Sequence, residues 1–292
     1  MLSGPDKWRE AKINPLTIPL SNELSISKIV GYPHAGNDVF ACLGLWHDKE
    51  TEFYLKVGRH IDADLSNEAA ILKEMLLCGL PVPEVYSQGI YAGYEYLALS
   101  AMPGYRLSAL LCGDQSEHYN KSLPIMLQKM GELLGRIHSL PLKWRPVPQR
   151  RQHSIPEIAA ENPLGKEVSE LVGWLSRNVP PQSKPIFLHG DFHYANILWE
   201  KDSISAILDW ELAGIGWREF DLAWATILRP SQNFMKKESE VEKFLKGYCQ
   251  TAEYDGRALK WCQKLIYCHF MNMKSIWNDA EYLDAAMSAT RR

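Results

Sequence analysis

The hydrophobic pattern near the start of the chain is that of strands separated by turns. Ser25–Val30 alternates with the two-residue period of a pleated strand. Val39–Trp46 and Thr51–Val57 are apolar and aromatic runs bounded by turn residues, and they read as the second and third strands. A turn-rich loop, Gly31–Asp38, joins the first pair, and His47–Glu50 makes the hairpin turn of the second. The period then changes to that of a helix over 66–77, with a Ser or Asn cap and an apolar face of Ile71, Leu72, Met75 and Leu76. Gly79, Pro81 and Pro83 break it. Val85–Ile90 and Tyr94–Ser100 follow as two more strands, and Pro103-Gly104 as a turn.

From there the pattern is mostly helical. Residues 122–140 predict a strongly amphipathic helix, capped by Ser122 with Pro124 in its first turn, and its stripe runs through Met126, Leu127, Met130, Leu133, Leu134 and Ile137. Residues 141–185 open rich in Pro and Arg and continue with helical stretches carrying Glu157, Glu161, Glu167 and Glu170. Residues 224–292 are helical by pattern, and Trp224, Phe244, Tyr248, Trp261, Tyr267 and Phe270 fall on expected core faces. Residues 1–24, with Pro5, Pro15 and Pro19, read as an extension packed on the first lobe.

One stretch departs from both periods. Ile186–Leu188 and Ile197–Trp199 are apolar runs that can end one strand and begin another, and His189, Gly190, Asp191, His193 and Asn196 lie between them. So many polar side chains are costly to bury without partners, and a loop held by rigid strands is where catalytic groups concentrate. Ile204–Asp209 is another strand-like run, and it ends in a carboxylate. If the two runs pair as a hairpin, Asp191, Asn196 and Asp209 converge, and two carboxylates with an amide oxygen suit Mg2+. The spacing of Asp191 and Asn196 matches the Asp and Asn of a kinase catalytic loop.

At these residues the chain resembles the aminoglycoside phosphotransferase and choline kinase superfamily. The resemblance rests on His189-Gly-Asp-Phe-His-Tyr-Ala-Asn196, Ile207-Leu-Asp-Trp-Glu211 and Asp221-Leu-Ala223 in that order, and is strongest from Lys184 to Ala225. It implies an α+β, two-lobed, protein-kinase-like fold. Residues 1–100 would be a nucleotide-binding lobe with an antiparallel sheet and one main helix; residues 101–292 would be a larger, mostly helical lobe for catalysis and the acceptor, with ATP or GTP in the cleft. Asp191 would orient or deprotonate an acceptor hydroxyl, and Asn196 and Asp209 would hold Mg2+. Lys56 would fix the phosphates and Glu68 would fix Lys56, with Glu74 as an alternative further along the helix. Gly31 and Gly36 would let the backbone approach the phosphates, and the main chain at Leu99, Ser100 and Ala101 would meet the adenine. His189, Asp221 and Glu211 would support the site, Asp221 by holding the catalytic loop from behind.

Without the resemblance several of these residues have plainer readings. Lys56 can be a solvent-facing strand residue, Gly31 and Gly36 an ordinary hairpin loop, and His138 a helix-end histidine satisfied by a neighbour. Asp279, Glu281 and Asp284 read as solvated surface charge.

Composition narrows the function further. The 292 residues are 46% hydrophobic and 23% charged with a net charge of −3, ordinary for a globular protein and without the basic stripe of a nucleic-acid binder. The six cysteines contain no Cys-x-x-Cys pair and lie mostly in apolar runs, so they read as buried free thiols. No apolar run is long enough to span a bilayer and the first residues lack a signal core, so a cytoplasmic protein is expected. Only eleven residues separate Asp209 from Asp221, with no activation loop and no Ala-Pro-Glu motif. That spacing argues for a small acceptor rather than a protein. The expected partners are a nucleoside triphosphate and a small hydroxylated acceptor, an aminoglycoside or similar antibiotic. Choline, ethanolamine, a sugar or an amino alcohol is the metabolic alternative. A metal-dependent hydrolase built on His189, Asp191 and His193 would leave Lys56, Glu68 and Asn196 idle, and a nucleotide-binding protein without activity would leave the catalytic residues unexplained.

Overall fold

A computed structural model describes residues 10–32, 36–59, 64–114, 116–141, 154–181, 184–229 and 237–291. The expectations for Pro5, for the middle of the Gly31–Asp38 loop and for the Pro/Arg-rich start of the 141–185 stretch lie outside these residues. The fold is mixed α+β, and the chain divides into two compact units, Met1–Tyr105 with Ile197–Glu211 and Arg106–Asn196 with Leu212–Arg292.

The first unit is built on an antiparallel sheet. Its strands are β1 (Leu24–Gly31), β2 (Asp38–Trp46), β3 (Lys49–Val57), β4 (Val85–Tyr91) and β5 (Tyr94–Ser100), in the order β1-β2-β3-β5-β4. Trp46 pairs with Lys49, so His47 and Asp48 alone make the turn, both with positive φ (49° and 62°). That is the primed geometry that matches the twist of a hairpin. Phe40, Phe53, Leu55 and Val57 fill the core on one face, and Ile13, Ile18 and Leu20 of the preceding segment pack against it.

Helix α1 (Leu65–Leu77) follows β3. Its cap is Asp64, whose carboxylate accepts from Asn67 N at 2.9 Å, rather than Ser66 or Asn67. Ser66 lies inside the first turn and donates instead to Glu95 of β5 at 3.0 Å. Ile71, Leu72 and Met75 are buried as expected, but Leu76 is exposed, because it lies past the edge of the packed face.

The later hairpin, β8 (Ile197–Glu200) with β9 (Ser203–Ile207), belongs to this first unit and pairs antiparallel. Ile207 N donates to Pro81 O at 2.8 Å and Ser205 Oγ to Pro103 O at 2.6 Å, which ties the hairpin to the segments flanking the sheet.

After the two-residue strand β6 (Tyr105–Arg106), the second unit is largely helical. It contains α2 (Leu107–Cys112), α3 (Ser116–His138), α4 (Gly165–Arg177), α5 (Arg218–Thr226), α6 (Glu238–Tyr248), α7 (Gly256–Met271) and α8 (Ala280–Arg291). The short strands β7 (Ile186–Leu188) and β10 (Gly214–Gly216) pair antiparallel beside them. Helix α3 starts at Ser116, six residues before the expected Ser122, and carries Pro124 inside it. Its first turns are polar, so the apolar period that marks the helix begins only after it is under way. Helices α3 and α6 approach closely enough that a Cβ on Gly131 would meet the backbone of Phe244, and one on Gly247 the backbone of Gln128.

Every cysteine is free, but only Cys42, Cys262 and Cys268 are buried, while Cys112 and Cys249 are exposed. Burial pushes the Cys42 and Cys268 thiols up to about 12. Among the described residues no helix is long and apolar enough to cross a membrane.

Candidate functional site

Strand β3 carries Lys56 inward, 8% exposed, between apolar neighbours that bury its stem. An ammonium in that position needs counter-charges, and three carboxylates of the first unit supply them. Lys56 Nζ donates to Glu68 Oε2 at 2.9 Å and to Asp209 Oδ1 at 2.9 Å, and lies 2.7 Å from Glu211 Oε2. Glu68 comes from the first turn of α1, which Asp64 and Glu95 hold at its N-terminus. Asp209 and Glu211 come from the segment that leaves β9. Burial alone would lower the Lys56 ammonium, but Glu68, Asp209 and Glu211 outweigh it and hold it above the usual lysine range. Glu68 moves upward, because complete burial and the neighbouring carboxylates oppose the attraction of Lys56.

Asp209 is held in an uncommon backbone conformation, with φ at +62°. Asp tolerates this left-handed region better than bulky residues do, and outliers of this kind gather at functional sites. The next residue fixes it, since Trp210 N donates to Glu68 Oε1 at 3.1 Å and Trp210 Nε1 to Ile207 O at 3.1 Å. Glu68 therefore orients both Lys56 and the turn that presents Asp209.

The ligand oxygens of Glu68, Asp209 and Glu211 all lie within 4.8 Å of one another. Set against one lysine they leave an excess of negative charge. An all-oxygen donor set of this kind fits a hard cation such as Mg2+ and does not fit a soft one.

Asn37 was not singled out in the sequence. It is buried, donates from Nδ2 to Glu211 Oε2 at 2.5 Å, and accepts from Arg59 N at 3.1 Å. Its neighbour Asp38 is fully buried, accepting from Tyr32 Oη at 2.7 Å, Lys12 N at 2.8 Å and Arg59 Nη1 at 2.8 Å. Burial works against the Asp38 charge, but these donors together hold its carboxyl below the usual range. This network anchors the end of the loop that begins at Gly31 and includes Gly36, whose φ is +81°. The main chain at the end of β5 is partly engaged, with Ser100 N donating to Glu84 O at 2.9 Å and Ala101 N to Glu52 O at 3.3 Å, while Leu99 pairs with Tyr54.

The second unit holds the other group. The loop after β7 turns at Gly190 (φ +83°) and is pinned from beneath by Asp221 of α5. The Asp221 carboxylate accepts from His189 N at 2.8 Å and Gly190 N at 3.0 Å, and lies 3.3 Å from His138 Nε2, whose Nδ1 is 2.8 Å from Tyr248 Oη. Buried backbone amides thus receive an ionic acceptor, the stronger class of hydrogen bond, and His138 is a satisfied buried histidine. Asp191 projects from the same turn. Asn196 Nδ2 donates to Asp191 Oδ2 at 2.9 Å and to Asp191 O at 3.0 Å, which leaves the Asn196 amide oxygen as the atom suited to a cation.

Two contacts to Asp191 were not anticipated. Trp224 is not a plain core residue: its Nε1 donates to Asp191 Oδ1 at 2.5 Å. His193 Nε2 lies 3.5 Å from the same oxygen. Burial would raise the Asp191 carboxyl, but His193, the Trp224 indole and His189 overcome it and bring it down to about 2. His189 Nδ1 accepts from Asp191 N at 3.2 Å and His193 Nδ1 from Ala195 N at 3.3 Å, so backbone donors occupy one ring nitrogen of each histidine.

The chain matches the phosphotransferase enzyme family over residues 36–261, most of its length. It is 25% identical over 221 residues to an aminoglycoside 3'-phosphotransferase of Streptomyces fradiae, across 69% of this chain and 80% of that protein. It is 26% identical over 181 residues to acyl-CoA dehydrogenase family member 10 of Mus musculus and 29% identical over 182 residues to family member 11 of Gallus gallus, across 56% of this chain in each case. It spans only 16% and 22% of those two longer relatives. Among solved structures, a thermostable mutant of aminoglycoside phosphotransferase APH(4)-Ia in ternary complex with ADP and hygromycin B has a TM-score of 0.66 at 16% identity, covering 91% of this chain and 93% of that one. Spectinomycin phosphotransferase, in complex with ADP and spectinomycin, has a TM-score of 0.56 at 16% identity, over 92% and 89%. At these identities the likeness is one of fold.

Proposed function

We propose, from the premise that the chain belongs to the phosphotransferase enzyme family, that it is a small-molecule kinase that transfers the terminal phosphoryl group of ATP or GTP to a hydroxyl of an aminoglycoside or similar antibiotic. The observation that carries this reading is the buried Lys56 ammonium ringed by Glu68, Asp209 and Glu211. A cation fixed in that way, next to an excess of carboxylate oxygens, is what a site for phosphates and a divalent metal requires. The nucleotide-bound neighbours of similar fold support it.

Each residue then has a role. Lys56 binds the phosphates, and Glu68 keeps it aimed. Asp209, with the Asn196 amide oxygen, would hold Mg2+, which when bound neutralises phosphate charge. Gly31 and Gly36 allow the loop after β1 to approach the phosphates, and main-chain groups around Leu99, Ser100 and Ala101 meet the base. Asp191 accepts a hydrogen bond from the acceptor hydroxyl and orients its oxygen toward the phosphorus. With its carboxyl held near 2, it orients more than it abstracts, which suits a loose transition state that asks mainly for positioning. Nucleotide binding would be the work of residues 1–100, and catalysis and acceptor binding that of 101–292.

The second reading keeps the chemistry and changes the acceptor to a metabolic one: choline, ethanolamine, a sugar or an amino alcohol. Within that class Arg229 favours an uncharged sugar over any cationic acceptor. Its guanidinium lies 4.3 Å over the Trp224 ring, near enough to Asp191 for the two charges to interact. A hydrolase built on His189, Asp191 and His193 gains no support. Among the described residues, the group of His, Cys or carboxylate side chains placed to hold a metal is Glu68, Asp209 and Glu211.

The test is Mg2+-dependent ADP release across aminoglycosides, other hydroxylated antibiotics, choline, ethanolamine and sugars. Release above background with one acceptor class supports the reading and names the acceptor. Asp191→Ala is expected to abolish turnover with nucleotide binding largely retained; near-normal turnover in that variant would remove Asp191 from the chemistry. The wild-type rate is expected to show no loss from Asp191 protonation until the pH falls toward about 2.

A further inference from the structure

The Asp191 carboxylate has two oxygens, and each is held by a different donor. Asn196 takes Oδ2. The Trp224 indole donates to Oδ1, a hydrogen bond of the charge-assisted class because its acceptor is a carboxylate. An indole N–H cannot accept and cannot ionise, so it fixes the acceptor without competing for a proton. The ring that carries it is itself held on several sides. Phe220 stacks four residues earlier on α5 with centroids 6.5 Å apart and planes 13° apart, and Phe270 of α7 stacks at 6.0 Å and 25°. The Arg229 guanidinium lies 4.3 Å from the ring centroid and donates from Nη2 to Trp224 O at 3.1 Å. Stacked aromatics and a cation over the face leave the indole little rotational freedom.

We propose that Trp224 is a positioning residue for the phosphoryl-transfer step. Clamped by Phe220, Phe270 and Arg229, it locks the rotamer of Asp191 so that one carboxylate edge stays presented to the acceptor hydroxyl. The inference rests on the role proposed for Asp191. It assigns a function to an aromatic whose helical spacing marks it only as core, and it gives Arg229 a task that touches neither nucleotide nor metal.

Trp224→Phe keeps an aromatic, though smaller, ring between Phe220 and Phe270 and removes the N–H. A hydrogen bond to a charged group is worth roughly a ten- to hundredfold change in rate, so Mg-ATP turnover with water as acceptor is expected to fall by about that factor. KM for ATP is expected to stay unchanged. A purely structural role would lower the unfolding midpoint and leave the turnover number of the folded enzyme where it was. Wild-type turnover in Trp224→Phe would overturn the proposal.

A second readout needs no turnover. In the full chain labelled with 15N-tryptophan, the indole signal absent from Trp224→Phe belongs to Trp224, and it is expected to shift upfield in Asp191→Asn; an unmoved signal would overturn the proposal. Turnover that survives in Asp191→Ala would overturn the role of Asp191 first, and the positioning role with it. An inert Asp191→Ala beside a fully active Trp224→Phe would overturn the positioning role alone.

Discussion

At the level of single residues, Lys56 shows how charge, burial and function meet. Three carboxylates hold one largely buried ammonium. Removing the ammonium leaves those carboxylates facing one another, so Lys56→Met is expected to destabilise the protein by about 3–5 kcal/mol in urea unfolding. Bound Mg2+ would recover part of that loss, by binding the folded state alone. The pH dependence has a definite sign. Lys56 is raised above its ordinary 10.5 in the folded state, so its contribution is complete below that value and is lost as the pH climbs beyond it. Stability of the wild type is therefore expected to decline in alkali with an arm that Lys56→Met lacks, and urea midpoints measured at pH 9 and 11.5 would show it. The pair Lys56 and Glu68 was accessible from a strand followed by a helix, because those elements lie close in sequence and the family resemblance implies how they pair. Asn37 with Glu211 was not accessible, since 174 residues separate the partners and neither type announces the other. Trp224 with Asp191, 33 residues apart, was hidden for a different reason: an aromatic at helical spacing looks the same whether its N–H meets solvent, core or a carboxylate.

Secondary-structure elements that read well are those whose apolar period runs their whole length. Strands β2, β3 and β5 and the later part of α3 are of this kind. The start of α3 is not, because its exposed first turns carry no period, and Pro124 reads as a first-turn residue although it lies in the interior. Asp64, Ser66 and Asn67 are all cap-forming types, and only the fold shows that the Asp64 carboxylate is the one that faces the open N–H groups of α1. Packing between elements depends on features with no period at all. Helices α3 and α6 touch through Gly131 and Gly247, where backbone meets backbone. Gly247→Ala is expected to force the helices apart and cost about 1–3 kcal/mol, visible as a lower thermal midpoint with unchanged helical content by circular dichroism. An alanine on the exposed face of α6, such as Lys246→Ala, is expected to do neither.

Across the whole molecule, the chain passes between its compact units at Tyr105, Asn196 and Glu211. The discontinuity has a consequence for how the protein is made. The first unit lacks its β8–β9 hairpin, and Lys56 lacks two of its three carboxylates, until residues 197–211 have been synthesised. At a translation rate of 5–20 residues per second, the ribosome takes roughly 5 to 20 s to cover the intervening Arg106–Asn196 segment. A sheet that forms in that interval would hold Lys56 with one of its three carboxylates. Nascent chains stalled far enough past residue 105, and far enough past residue 211, for those residues to have left the ribosome should therefore differ sharply in protease resistance, and the window between them is when a chaperone has the most to hold.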